Sequence, residues 1–159
     1  MPATPQTPTV RHATPDDLPS IIALENKCFP GPIAYTPRQL CYLLTTANSA
    51  VLVETLHNRL RGFIIILYRR GSTTAGIETI DVDPDAQRNG IARRLLTAAE
   101  DDMHAHHIAR VRLEVSTQNT PAIGLYQHAG YNTTEFLHNY YTYKHHGSRD
   151  AFRMTKDLS

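Results

Sequence analysis

The chain of 159 residues has no tryptophan, only two cysteines and a formal net charge of just +1. Each scarcity excludes something. Cys28 and Cys41 are too few for a disulfide scaffold and lack the companions of a metal site, so a reducing, cytoplasmic setting is expected. A near-neutral chain without a basic run lacks the bulk charge that nucleic-acid binding draws on, so no nucleic-acid partner is expected and any anion site must be local. The longest apolar run, "GFIIILY" at 62–68, is far shorter than the ~20 residues a membrane helix needs, so no membrane partner is expected. The N-terminus "MPATPQTPTV" has no basic stretch leading into an apolar one and does not read as a secretory signal. No internal repeat is visible.

What remains is a soluble globular composition, 41% hydrophobic and 19% charged, of one domain's length. The alternating Pro and Thr residues predict a flexible tail over 1–8, followed by a single domain over 9–159. "TVRHA" (9–13) reads as a short strand. "TPDDLPSIIALENKCF" reads as a helix with Thr14 as cap, and "TPRQLCYLLTTA" as a second with Thr36 as cap and Pro37 at its first position. "SAVLVETL" (49–56) and "LRGFIIILYRR" (60–70) predict a hairpin around "HNR". "GSTTAG" reads as a turn and "IETIDVD" (77–83) as the next strand. In "GIARRLLTAAEDDMHAHH" (90–107), Ile91, Leu95, Leu96, Ala99 and Met103 fall on one side of a helix. "ARVRLEVST" predicts a strand, and "TPAIGLYQHAG" a short helix with Thr120 as cap, Pro121 first and Gly130 as stop. "YNTTEFLHNYYTY" and "RDAFRMTKDL" read as a final hairpin around "KHHGS". This order predicts an α/β (α+β) layer fold with a mixed sheet.

The stretch "DPDAQRNGIARRLL" (83–96) carries the first chemical signal. A helix N-terminus presents unpaired N–H groups and the positive end of the helix dipole, which together hold anions. Gly90 would let the backbone approach a phosphate, Ala92 is small, and Arg88, Arg93 and Arg94 surround the same turn. Two readings of these residues stand open: a helix start with exposed arginines, or an anion cradle. There is no G-x-x-x-x-G-K-[ST] and no G-x-G-x-x-G, so neither a nucleotide P-loop nor a dinucleotide fingerprint is present.

"QRNGIA" at 87–92 resembles the Arg/Gln-x-x-Gly-x-Gly/Ala signature of the GNAT superfamily of acetyl-CoA-dependent N-acetyltransferases. The strand, Asp-Pro turn and helix around it fall in the expected order. "RLEVSTQNTPAIGLYQHAGY" at 112–131 resembles a segment of the bacterial ribosomal-protein alanine N-acetyltransferases within that superfamily. "NYY" (139–141) and "DAFRM" (150–154) look like that group's C-terminal strands. "CFPGPIAYTPRQL" resembles its substrate-side loop only through Phe29-Pro30, with Gly31 and an extra Pro32 where the group usually has an aromatic residue. The resemblance implies a mixed, mostly antiparallel sheet of about seven strands with splayed central strands and flanking helices. It implies acetyl-CoA as co-substrate, with its pyrophosphate held by backbone amides of Arg88, Asn89, Gly90, Ile91, Ala92 and Arg93. Its pantetheine arm would pair with Ile80, Asp81 and Val82 and be hydrogen-bonded by Asn119. A bulge or gap is then expected beside the strand at 111–117.

By the same resemblance Glu114 is the general base, acting directly or through water, and Tyr126 the general acid that reprotonates the thiolate. They stand twelve residues apart, as in the family's acid–base pair. On residues alone, Glu114 lies opposite Leu113 and Val115 on an apolar strand, where a carboxylate is costly unless paired or working, and Arg112 on the same face offers the pairing. Tyr126 read alone is a helix residue packed on the sheet, and Asn119 a helix cap or turn residue. Asp81 stands where the group usually has a small residue. Other members of the superfamily place their base on this strand, so Asp81 or Glu78 could share or replace the role of Glu114. Tyr140 and Tyr141 read either as lining the acceptor groove or as ordinary strand aromatics. His104, His106, His107, His145 and His146 have no Cys or carboxylate at ligand spacing, so no metal is expected.

The acceptor is then a primary amine. An α-amine with a pKa of about 7.7–8.0 is partly neutral at pH 7, whereas Lys at about 10.4 is almost wholly charged. Both this and the resemblance point to a protein N-terminus, such as that of a ribosomal protein. A lysine side chain, a small-molecule amine and a non-catalytic acyl-CoA-binding module are the alternatives.

Overall fold

In a computed structural model of the chain, residues 7–158 are described; most of the tail expected over 1–8 lies outside them. Seven strands, β1 (Thr9–His12), β2 (Ser49–Leu56), β3 (Arg59–Leu67), β4 (Thr74–Val82), β5 (Arg110–Ser116), β6 (Asn132–Leu137) and β7 (Ala151–Asp157), form one sheet in the order β1-β2-β3-β4-β5-β7-β6. Every neighbouring pair is antiparallel except β4 and β5. Four helices flank it: α1 (Leu18–Cys28), α2 (Pro37–Thr45), α3 (Ile91–Ala105) and α4 (Thr120–His128). This is the expected mixed α/β sheet.

The sheet is covered on both faces. Alternate residues of β2 and β3 divide between two cores: Leu52, Ile64 and Ile66 pack with Leu95, Leu96 and Met103 of α3, while Val51, Val53, Phe63 and Ile65 pack with Ile21 and Leu24 of α1 and Leu40 of α2. Burial on both sides explains why β3 reads as an unbroken apolar run rather than an alternating one. α2 begins as its sequence predicts: Thr36 Oγ1 accepts from Gln39 N (3.1 Å), and Gln39 Oε1 accepts from Thr36 N (2.8 Å).

Two irregularities shape the site. β4 and β5 pair only from Thr74–Arg110 to Ile77–Leu113, and beyond that point β4 keeps its β3 partner but has none on the β5 side. At that same point Glu78 is bulged out of register, since Ile65 pairs with Thr79 and Ile66 with Ile77. The expected gap and bulge are therefore both present.

Several boundaries differ from the sequence reading. Thr14 caps a short 3-10 turn (Pro15–Asp17) ahead of α1, whose own cap is Asp17. Three further differences bear on the site. β4 begins at Thr74, inside the expected "GSTTAG" turn, because its first residues find a parallel partner in β5, a long-range contact with no local signal. Asn119, not Thr120, caps α4, its Oδ1 accepting from Ala122 N (3.3 Å). "NYY" at 139–141 lies in the long β6–β7 loop and not in a strand; β7 then inserts between β5 and β6.

Candidate active site

Where β4 and β5 part, a cavity of about 530 Å³ opens. Glu78, Thr79 and Ile80 of β4 form one wall, and Glu114, Val115 and Ser116 of β5 the other. Asn119 and Tyr126 close it on the α4 side. Phe29, Ile33 and Tyr35 come from the α1–α2 connection, and Tyr140, Tyr141, His145 and His146 from the β6–β7 loop.

Glu114 and Tyr126 are thus brought to the same cavity. The Glu114 carboxylate, 13% exposed, receives two guanidinium groups on Oε1: Arg153 through Nη2 (3.1 Å) and Nε (3.3 Å), and Arg112 through Nε at 3.4 Å. Among the described residues no hydrogen bond reaches Oε2. The ion pair with Arg112 read from the strand pattern is therefore real, and Arg153, its cross-strand partner on β7, was not foreseen. Pairing of this kind offsets the cost of burying most of a carboxylate and fixes its plane. Tyr126 is 9% exposed, with its ring tilted against Tyr131 at 5.8 Å. Burial pushes its phenol up to about 12, so it keeps its proton throughout the neutral range.

The two carboxyl groups of β4 separate. Glu78 lines the cavity, and the Tyr35 hydroxyl donates to its Oε1. Burial and this bond to a carboxylate hold the Tyr35 phenol far above its ordinary range. Asp81 points to the opposite face, 1% exposed beneath α1, where Thr79 Oγ1 donates to its Oδ1 at 2.8 Å. Burial in that setting raises its pKa to about 9. Its side chain is not part of the cavity, nor is Val82. Tyr35 escaped the sequence reading because its partner lies 43 positions away.

The β6–β7 loop is held firmly against this wall. Ser116 Oγ donates to His145 O (2.7 Å), Arg149 Nε donates to Tyr141 O (2.9 Å), and the Tyr141 and His145 rings stack at 4.0 Å. Tyr140 and Tyr141 are cavity residues of a loop, not strand aromatics.

Beyond the cavity, β4 runs into the turn that carries residues 88–93. Asp83 Oδ1 accepts from Asp85 N (2.9 Å), and Lys27 clamps Asp83 and Asp85, each at 2.7 Å. Arg88 (φ +65°) and Gly90 (φ +73°) both take left-handed backbone conformations, and Asn89 Nδ2 donates back to Ala86 O at 2.8 Å. The first bond of α3, Arg94 N to Gly90 O (3.0 Å), leaves the amides of Ile91 to Arg93 ahead of it at the helix mouth. Arg88 and Arg93 extend into solvent, but Arg94 does not join them. Its Nε donates to Glu54 Oε1 (2.5 Å), whose Oε2 takes Arg61 Nη2 (2.9 Å), so the fully buried Glu54 is bracketed by two cations. Arg94 is an anchor of α3 and not a free cation of the loop.

The free edge of β4 and the loop at its end fit an extended, amide-bearing arm that terminates in a phosphate group. Unpaired strand groups would accept the arm, and the helix mouth the anion. Among the described residues no group of three or more His, Cys, Asp or Glu side chains could hold a metal. Nor is any described helix long and apolar enough to cross a membrane.

A sheet that splays beside a left-handed loop and a helix mouth defines an acyl-transferase class of fold. Residues 18–131 match the acetyltransferase (GNAT) family, and the chain belongs to it. It is 38% identical over 85 residues to the [ribosomal protein bS18]-alanine N-acetyltransferase of Escherichia coli (strain K12), an alignment covering 54% of this chain and 57% of that one. The chain thus aligns with a little over half the length of this curated relative. It is 26% identical over 163 residues to an N-alpha-acetyltransferase of Saccharolobus solfataricus, covering 94% and 93% of the two chains. The crystal structure of the ribosomal-protein-S18-alanine N-acetyltransferase from Escherichia coli superposes with a TM-score of 0.86 at 26% identity, over 96% and 95% of the chains.

Proposed function

We propose that this protein transfers the acetyl group of acetyl-CoA to a primary amine, the N-terminal α-amine of a protein such as a ribosomal protein. The observation that carries this reading is that Glu114 and Tyr126 face one cavity at the point where β4 loses its β5 partner. The named relatives are a [ribosomal protein bS18]-alanine N-acetyltransferase and an N-alpha-acetyltransferase, and an open wall of Tyr35, Tyr140 and Tyr141 suits a peptide end. Two free cysteines agree with a cytoplasmic enzyme.

Acetyl-CoA would supply an activated thioester. Ile80, Asp81 and Val82 would hold its arm through backbone groups, Asn119 through its side-chain amide, and Arg88, Asn89, Gly90, Ile91, Ala92 and Arg93 its pyrophosphate. Capping of α4 occupies Asn119 Oδ1 and leaves the Nδ2 donor for this role. Glu114, oriented by Arg112 and Arg153 through Oε1, takes the proton of the attacking amine directly or through water. As the amine nitrogen bonds to the acetyl carbon and the carbon–sulfur bond breaks, Tyr126 gives its proton to the departing sulfur. Its phenol, held protonated by burial, is in the right state to do so.

A second assignment of the base has its own support. Glu78 lines the same cavity, and among the described residues no cation lies within ion-pair distance of it. Glu78→Gln and Glu114→Gln compared at single-turnover level separate the two: the base is the residue whose loss removes the acidic limb of the pH–rate profile.

The acceptor is tested by incubating the protein with acetyl-CoA and a peptide panel while following thiol release. Release with free N-termini that disappears on N-terminal blocking is expected. Release only with polyamines or internal lysines would overturn the α-amine assignment. Tight acyl-CoA binding without release to any amine would mark a binding module instead.

A further inference from the structure

Glu25 on α1 and Asp81 on β4 are each only 1% exposed, and the two carboxyl groups lie together where α1 packs on β4. One oxygen of each has a donor: Tyr35 N–H reaches Glu25 Oε2 at 3.0 Å, and Thr79 Oγ1 reaches Asp81 Oδ1 at 2.8 Å. The other two, Glu25 Oε1 and Asp81 Oδ2, are buried with no donor from any other described residue. Two ionised carboxylates in this position would face each other with lone pairs in a low-dielectric interior, an arrangement that cannot persist. One proton between them turns two orphaned acceptors into a donor and an acceptor and leaves the pair a single charge.

Among the described residues, nothing else around the pair compensates it. From α1, Cys28 faces the pair as a thiol whose Sγ donates to Val82 O (3.3 Å), and burial beside these carboxyl groups pushes it up to about 12. From the α1–α2 connection comes Tyr35, which is also held protonated, with Glu78 beyond its hydroxyl. β3 contributes Phe63, and β4 contributes Thr79. Lys27 on α1 is engaged with Asp83 and Asp85.

The contacts form a closed circuit. Asp81 ties β4 to Glu25 of α1, Glu25 ties α1 to the backbone of Tyr35, and the Tyr35 hydroxyl returns to β4 at Glu78. We propose that Glu25 and Asp81 share one proton and that this acid pair is the positioning element that fixes Tyr35, and through it Glu78, in the acceptor wall of the cavity. This role rests on the acetyl-transfer reading of that cavity. Neither carboxyl group touches the reacting atoms. Loss of the shared proton would put a second charge under α1, push Glu25 away from β4 with the Tyr35 backbone it holds, and loosen the acceptor wall.

The test has structural and kinetic arms. The infrared spectrum of the wild-type protein near neutral pH should contain a protonated carboxylic-acid C=O band that is absent from Asp81→Asn. In Glu25→Gln the amide can donate to Asp81 Oδ2 in place of the proton while its oxygen still accepts from Tyr35 N–H, so that variant should keep the wild-type exchange rate of the Tyr35 amide and the wild-type acceptor KM. Asp81→Ser cannot span the gap and should speed Tyr35 amide exchange. It should raise the acceptor KM roughly tenfold. A wild-type spectrum without the acid band overturns the shared proton. Unchanged Tyr35 exchange in Asp81→Ser overturns the positioning role, and if that variant does not fold, the same exchange is read in Asp81→Thr. Both structural readouts as expected, with no amine acetylated by any form, would strike the acetyl-transfer reading and leave the pair itself standing.

Discussion

Gly62 of β3 lies directly beneath Ile91, the first residue of α3: a Cβ added there would stand 2.8 Å from Ile91 Cγ2 and 2.9 Å from the carbonyl oxygen of Asp81. The glycine sets the height at which the helix mouth rests on the sheet. Because Asp81 O is backbone and Ile91 is fully buried, neither neighbour can yield cheaply. Gly62→Ala should destabilise the protein by about 1–3 kcal/mol, as overpacking does. It should also raise the KM for acetyl-CoA more than that for the amine, since the displaced element carries the loop and not the cavity. Urea denaturation and initial rates at varied acetyl-CoA check both parts.

Glu54 makes a second prediction about the same helix. It is fully buried between Arg61 and Arg94, and Glu54→Ala strands two guanidinium groups. A fully enclosed pair broken in this way costs about 3–5 kcal/mol; with Arg94 40% exposed and able to regain water, about 2–3 kcal/mol is expected. Glu54→Leu fills the volume but strands the same cations, so it should recover little of the loss. Recovery to wild-type stability in the leucine variant would show that packing, not pairing, holds the site.

These two contacts show where the sequence was and was not informative. The helix at 91–105 was legible from Ile91, Leu95, Leu96, Ala99 and Met103, and the splayed β4 could be expected because "QRNGIA" resembles a known loop. That Arg94 turns away from the loop was not legible. Its partner is 40 positions distant on β2, and nothing local separates it from Arg93. Asp81 carried a local signal, an acid in an apolar strand, but its face was not readable. Alternation sets Glu78 and Asp81, three positions apart, on opposite sides, as found, but which side each takes depends on the register around the bulge at Glu78, which has no local signal. Tyr35 and Arg153 reach the site through tertiary contacts alone.

Tyr126 can be separated from its packing. Its hydroxyl makes no hydrogen bond to another described residue, and burial alone accounts for its raised pKa. Tyr126→Phe should therefore leave the melting temperature unchanged while lowering kcat by about 10²-fold, with both KM values nearly constant. With the phenol near 12, the wild-type kcat profile should show no loss assignable to this group below about pH 11. A Phe variant of full activity would remove Tyr126 from the chemistry.

Asp81 gives the stability of the protein a slope against pH whose sign can be worked out. Its folded pKa, near 9, lies above the ordinary value of 3.8. Between the two, the folded chain keeps a proton that the unfolded chain has released. Stability therefore falls as pH rises wherever the native state binds the extra proton. The contribution is fully present below about pH 4, declines through the neutral range and is exhausted once pH passes about 9. Asp81→Asn removes the titrating group and keeps a donor toward Glu25, so its stability should exceed that of the wild type increasingly from pH 5 to pH 9. Melting temperatures of the two proteins measured across that range should diverge steadily. Parallel curves would mean that Asp81 is ionised in the folded protein and that its charge is met by a partner other than a shared proton.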